Sequence, residues 1–347
     1  MSRRALPAVL LAAAAAGCFA RSYRSMPRVA IVNGDPIVQM AKPGKLPSLT
    51  RPRLVPADRR FDVPEAETPV LGLVLEDSPR AYPVGLLDRY EVVNDSAPDT
   101  PFVIARCALT GVAAAYDRRA GGATLLFENS GALWRDTLVL RDRETGTYWS
   151  AATGRALSGP LAGAALARIP AAFARLRDWE RAFPQSLYFD EWKPTSAPVL
   201  VQIYGLSPWQ GVSGETTNDP RYKAKQQVFV VADAGEALAF TAAELEEKRQ
   251  IGARLRGRAL LLQWDARLRA PRAWAEGDER TEIAVMPMYW FAVGRHFAVV
   301  RTPADKPDNR ETQAIKIRKP PRSRRHFPRR HAAAPTFQRA RIRPPPL

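Results

Sequence analysis

The sequence predicts a β-rich α+β fold made of two weakly related mixed β lobes with few short helices. Three observations carry this reading. Apolar runs of strand length alternate with Gly, Asp and Pro turn signals between Val70 and Ser150. Helical spacing of apolar residues is confined to one short stretch. The pattern of the first half also returns, in the same order, in the second half.

The chain opens Met-Ser-Arg-Arg, followed by an apolar stretch from Ala5 to Gly17. A charged start and a short greasy run are the layout of a secretory leader. The run is too short to span a bilayer as a helix, which takes roughly 20 apolar residues. It ends A-A-G-C, and small residues before Cys18 are what a lipoprotein signal peptidase needs to expose a thiol for acylation. The alternative is ordinary cleavage near Ala20, which discards Cys18. Either route predicts a body outside the cytoplasm, tethered to the membrane by lipid on Cys18 or released into the periplasm. Residues 1–18 are therefore read as leader and lipid-attachment site, and residues 19–50, rich in Pro and basic residues, as a linker.

Residues 51–193 are assigned to the first lobe. V-L-G-L-V-L from Val70 is a continuous apolar strand, closed by the turn E-D-S-P. R-A-Y-P-V-G-L-L leads into Y-E-V-V-N-D, and F-V-I-A-R from Phe102 is strand-like again. Two hairpins are predicted. V-A-A-A-Y-D-R-R turns through A-G-G into A-T-L-L-F, and T-L-V-L-R-D-R turns through E-T-G into T-Y-W-S. Phe173, Leu176, Trp179 and Phe183 recur at helical spacing and predict a helix within Ala171–Phe183. Residues 194–222 form a connection, and residues 223–303 the second lobe. There Val228–Thr241 echoes Val70–Pro83, the segment from Ala259 echoes that from Phe102, and Met286–Phe297 echoes the segment from Ile169.

The formal net charge of +17 is unevenly spread. Asp305–Leu347 holds 13 Lys and Arg against 3 acidic residues, and Met1–Thr50 holds 7 against 1. The body is almost neutral. Residues 304–347, with strings such as R-K-P-P-R-S-R-R and a final R-P-P-P-L, predict a disordered basic tail. Such a tail is attracted to anionic envelope surfaces. Nucleic-acid binding needs a basic folded face, which a neutral body does not offer.

R-A-Y-P, E-V-V-N-D, C-A-L-T-G, D-R-E-T-G-T-Y-W and G-R-A-L-S-G-P-L-A-G, in that order, resemble the bacterial family catalogued as domain of unknown function 3179. The likeness runs from about Val70 to Phe189, with a looser echo to about Phe297. It implies an extracytoplasmic protein, often lipid-anchored or secreted, with no established reaction. Three positions depart from the family pattern. Members often carry His where this chain has Tyr90, Pro where it has Ala108, and a second Cys where it has Thr110.

Cys107 is the candidate nucleophile, since the chain's other cysteine is consumed or lost with the leader. A working thiol needs a base or cation to lower its pKa. Arg106 is adjacent but points to the opposite face of a strand. Of the three histidines, His326 and His331 lie in the tail, which leaves His296. The competing reading of Cys107 is a small buried apolar residue. No metal-ligand spacing, catalytic triad, phosphate loop or dinucleotide fingerprint is present, so no metal or cofactor is predicted. Carboxylate pairs beside Trp134 and Trp149 are compatible with a glycan groove. The competing reading packs Trp149 in the core and leaves Asp142 and Arg143 on a solvated edge. Asn94, Asp95, Thr110 and Gly111 look like turns at strand ends, where binding residues collect. The predicted ligand pocket is therefore Glu91, Asn94, Asp95, Cys107, Thr110 and Tyr116. The expected role is an envelope-associated binding or accessory protein for a small molecule or protein, with a thiol-dependent or redox enzyme using Cys107 as the alternative.

Overall fold

At several hairpins a left-handed backbone turns an apolar run back on itself, as at Glu76–Asp77 and Arg135–Asp136. The computed structural model describes residues 22–61, 65–191, 196–277 and 281–305. The leader with Cys18, and the tail with His326 and His331, lie outside the described residues. Among the described residues no helix is long and apolar enough to cross a membrane.

The first strands are β1 (Arg28–Val32), β2 (Asp35–Gln39), β3 (Leu49–Thr50) and β4 (Leu54–Val55). Then come β5 (Pro69–Leu75), β6 (Ser78–Pro83), α1 (Val84–Tyr90), β7 (Val92–Ser96), β8 (Pro101–Cys107) and β9 (Val112–Asp117). After the two-residue strands β10 (Arg119–Ala120) and β11 (Ala123–Thr124) follow β12 (Phe127–Trp134), β13 (Thr137–Asp142), β14 (Tyr148–Ser150) and β15 (Ala156–Ser158). The first half closes with β16 (Arg168–Ile169), β17 (Ala172–Arg175), α2 (Leu176–Ala182) and β18 (Leu187–Phe189). Helix α3 (Val199–Leu206) lies in the connection. The second half runs β19 (Gln227–Asp233), β20 (Glu236–Phe240), α4 (Ala242–Lys248), β21 (Gln250–Leu255), β22 (Arg258–Asp265) and β23 (Ala270–Ala275). It ends with β24 (Thr281–Ile283), β25 (Met286–Tyr289), α5 (Trp290–His296) and β26 (Val299–Arg301).

The two halves repeat one topology at residue level. Strand order β17-β5-β6-β18 in the first recurs as β25-β19-β20-β26 in the second. In both, the central hairpin has an antiparallel neighbour on one side and a parallel one on the other. Register follows suit. Leu71↔Tyr82 corresponds to Phe229↔Phe240, and Ala172↔Gly72 to Met286↔Val230. Leu187↔Arg80 corresponds to Arg301↔Leu238, and Cys107↔Val112 to Asp265↔Ala270. Even the backbone reversal after the first helix recurs, with Glu91 at φ 55 and Arg249 at φ 64.

Each half inserts a hairpin tip into the other. The tip between β8 and β9 meets β25, where the Tyr289 amide donates to the Thr110 carbonyl at 2.7 Å. Val112 and Ala114 there share a core with Met286, Met288 and Trp290. Reciprocally, Leu268 and Ala270 at the β22–β23 tip are buried with Ala172, Ala174, Leu176 and Trp179. One element has no counterpart in the second half. Strands β12 to β15, joined by β1 and β2, form a six-stranded sheet interposed between β9 and β17. It brings its β12–β13 turn to the junction of the two halves.

Several expectations are corrected. Part of the stretch read as a linker, residues 19–50, forms β1, β2 and β3, because Ile37 and Val38 are buried against β12. Asn94 and Asp95 are not at a turn: both lie inside β7, fully paired with β8. The helix expected in Ala171–Phe183 begins only at Leu176, since Ala172–Arg175 are taken up as an edge partner of β5. The A-G-G turn joins only β10 and β11, while β9 pairs with β8 and β16. Trp149 does pack in the core, but Asp142 is buried with it, accepting the indole N–H at 2.8 Å.

Candidate functional site

Cys107 ends β8, and its side chain points into the largest core, with 1% exposure. Its Sγ accepts the Leu138 amide at 3.4 Å and faces the Asp136 carbonyl at 3.9 Å. Burial pushes the thiol pKa up, and the nearby Glu91 carboxylate pushes it the same way. Hydrogen bonds from Thr110 and Leu138 pull it partly back.

From this thiol a file of buried hydroxyls leads to His296. Thr110 sits in the β8–β9 tip, and Thr137 opens β13. The Thr137 hydroxyl donates to the Thr110 hydroxyl at 3.1 Å and lies 2.6 Å from His296 Nε2. The cluster thus takes Cys107 and Thr110 from the first half, Thr137 from the interposed sheet and His296 from the second half. His296 is 6% exposed and packs edge-on against Trp134, ring centroids 5.4 Å apart. Burial, and then the neighbouring Arg135 and Arg295 guanidiniums, press its pKa down to about 3. It is a neutral imidazole at any ordinary pH.

Asp136, next to Thr137, is held at φ 62 in the β12–β13 turn and is fully buried. One carboxylate oxygen accepts the amides of Val212 and Ser213 at 2.7 and 2.8 Å. The other accepts the Ser213 hydroxyl and pairs with Arg295. Gly211 lies so close that any β-carbon there would overlap the Asp136 side chain. Tyr204 of α3 secures the same strap by donating to the Leu109 carbonyl at 2.6 Å. The connection between the halves is thereby pinned over the hairpin tip.

A cleft of about 1140 Å³ opens beside this cluster. Trp134 and His296 are part of its wall, with Arg135, Arg155, Arg168 and Arg295 around them. Trp134 Nε1 and His296 Nδ1 are both buried there without a hydrogen-bond partner among the described residues.

The six residues predicted to form a pocket are dispersed, and none of them lines this cleft. Asn94 is a structural clip. Its amide donates to the carbonyls of Leu49 and Phe127 at 3.1 and 2.7 Å and accepts the Phe127 amide at 2.9 Å. Asp95, on the other face of β7, accepts from Arg80 and from the Tyr82 hydroxyl. Tyr116 is buried beneath Gly154 and donates to the Ala151 carbonyl at 2.8 Å. Glu91 terminates α1 in a left-handed conformation and accepts from Asn129. Burial raises its pKa to about 7 against the pull of Asn129; Asp88 raises it further and Arg106 opposes. Only Cys107 and Thr110 of the six share one hydrogen-bonded cluster, and sequence spacing gave no hint of Thr137, Asp136 or Trp134 beside them.

No curated protein and no solved structure matches this chain. A family profile, described as Protein of unknown function (DUF3179), matches residues 43–316. That span takes in both repeats and strands β12 to β15, leaving β1 and β2 outside it, and the chain therefore belongs to this family.

Proposed function

We propose that this is an envelope-associated binding protein, lipid-anchored at Cys18 outside the cytoplasm, whose ligand meets the cleft beside His296 and not the thiol. The observation that carries this reading is the contrast between the two places. The cleft brings a buried tryptophan and a neutral histidine, each with an unpartnered nitrogen, to one wall. Largely preformed cavities lined this way are where small molecules bind. Cys107, by contrast, is sealed in the core with its pKa raised, the reverse of what an activated nucleophile needs. The leader and A-A-G-C string support the anchor. The basic end of the chain adds attraction to anionic envelope surfaces.

A second reading, a thiol enzyme, is favoured by one observation: the hydroxyl file joins Cys107 to His296. One experiment separates the two. Full-length protein is isolated from envelopes and examined by native mass spectrometry for a co-purifying small molecule, together with His296→Leu and Cys107→Ala variants. The binding reading expects the molecule to persist in Cys107→Ala and vanish in His296→Leu. A covalent adduct on Cys107, lost in Cys107→Ala, would establish the enzyme instead. Lipid labelling that survives Cys18→Ser would remove the anchor from the proposal.

A further inference from the structure

We infer that the cleft takes a small molecule bearing an oxyanion, gripped by Arg168 with Arg155; this rests on the cleft-binding reading above and specifies its ligand class. The cleft wall carries more arginines than carboxylates. Its acidic residues are Asp35, Glu215 and Asp233. Asp35 is paired with Arg135 at 2.7 Å. Glu215 lies 3.9 Å from Arg295, whose guanidinium is also bound to Asp136. Asp233 lies 3.7 Å from Arg256, outside the cleft. Two of the four cleft arginines are thus answered by carboxylates, and each cleft acid lies within 4 Å of an arginine other than Arg168 or Arg155.

Arg168 and Arg155 remain, and no carboxylate pairs with either among the described residues. Arg168 is half-buried at the start of β16 and held in place by neutral groups alone. It donates to the Ala152 carbonyl at 2.7 Å, approaches the Met286 sulfur at 3.7 Å and lies over the Tyr116 ring. Arg155 stands one bridge away, its backbone paired antiparallel with Ala165. A guanidinium cannot discharge itself by losing a proton. Set in a concave wall, its field is directed into the cleft. The complement of that arrangement is a planar or tetrahedral oxyanion accepting two N–H bonds at once. Neutral His296 adds no charge to this wall, so the pair of arginines sets the sign.

The test is calorimetric titration of the full chain at physiological salt with three probes: citrate, inorganic phosphate and neutral N-acetylglucosamine. The basic tail binds anions non-specifically, so Arg324→Gln/Arg325→Gln serves as the matched control. The inference expects citrate, phosphate or both to bind, with affinity at least tenfold weaker in Arg168→Gln and several-fold weaker in Arg155→Gln, and unchanged in the tail control. Citrate without phosphate identifies a carboxylate ligand, and the converse a phosphate one. Should Arg168→Gln fail to fold, the exposed Arg155→Glu carries the test, with loss of anion binding expected. Anion binding that survives the cleft substitutions, or that falls only in the tail control, overturns the inference. Binding of the neutral sugar alone, lost in His296→Leu, sinks the anion class and leaves the binding-protein reading standing. No binding by any probe, with nothing co-purifying, sinks both.

Discussion

His296 Nε2 lies 2.6 Å from the Thr137 hydroxyl, and that hydroxyl gives its own proton to Thr110. The imidazole is thus held through Nε2 by the hydroxyl file, and the Arg135 backbone hydrogen-bonds the ring as well. Protonating the ring would place another cation beside Arg135 and Arg295. The folded state accordingly resists it, with the histidine pKa pressed down to about 3. The sign follows from linkage: this group contributes stability that is full above about pH 6.5 and is lost as pH falls toward 3, at about 1.4 kcal/mol per pH unit. Acid unfolding of His296→Gln should show a flatter slope between pH 6 and 4 than wild type.

Glu91 has the opposite slope. Its raised pKa of about 7 means the folded state holds a proton that the unfolded chain releases near pH 4.3. Stability from this residue is present below about pH 4.3 and declines as pH rises through 7. Glu91→Gln, which keeps an acceptor for Asn129, should raise the melting temperature at pH 8 and leave it unchanged at pH 4.5. An equal shift at both pH values would show that the carboxyl is not titrating in the folded state.

The thiol should be silent in the native protein. With Cys107 buried and its pKa raised, a colourless-to-yellow aromatic disulfide reagent at pH 7 should label no cysteine of the mature body within minutes, and label it stoichiometrically in denaturant. Rapid labelling of native protein below neutral pH would revive the enzyme reading.

Asn94→Ala removes three hydrogen bonds to buried backbone groups of Leu49 and Phe127 without offering water in exchange. A loss of roughly 3 kcal/mol in urea unfolding is expected. Ligand binding at the cleft should persist in the folded fraction, because Asn94 does not line it.

Gly72→Ala should be costly for a different reason. An added β-carbon would fall within the Trp179 ring. Overpacking of about 1–3 kcal/mol is expected, partly relieved by Trp179→Phe in the double variant.

The repeated plan was legible because pairing in β-sheets is local: the run from Val70 and the run from Val228 each announce a strand, a turn and a return strand. The family strings were legible for the same reason. What failed to show was assembly. Asn94 looked like a turn because Asn-Asp usually is one, yet the β12 backbone beside it supplies partners that no sequence window contains. Asp142 looked solvated until the Trp149 indole closed over it. Arg155 and Arg168 attracted no attention, since an arginine's significance here lies in which carboxylates are already spoken for.

The exchanged hairpin tips bear on how such a chain could ever have been shorter. A single copy of the repeat would present its β8–β9 or β22–β23 tip, and the apolar strand-and-helix seat for another, both bare to water. In the full chain each repeat's tip fills the other's seat, and both surfaces are covered at once. The two junctions are nonetheless unlike: the first holds a thiol, two threonines and a histidine, whereas Asp265 stands in the second where Cys107 stands in the first.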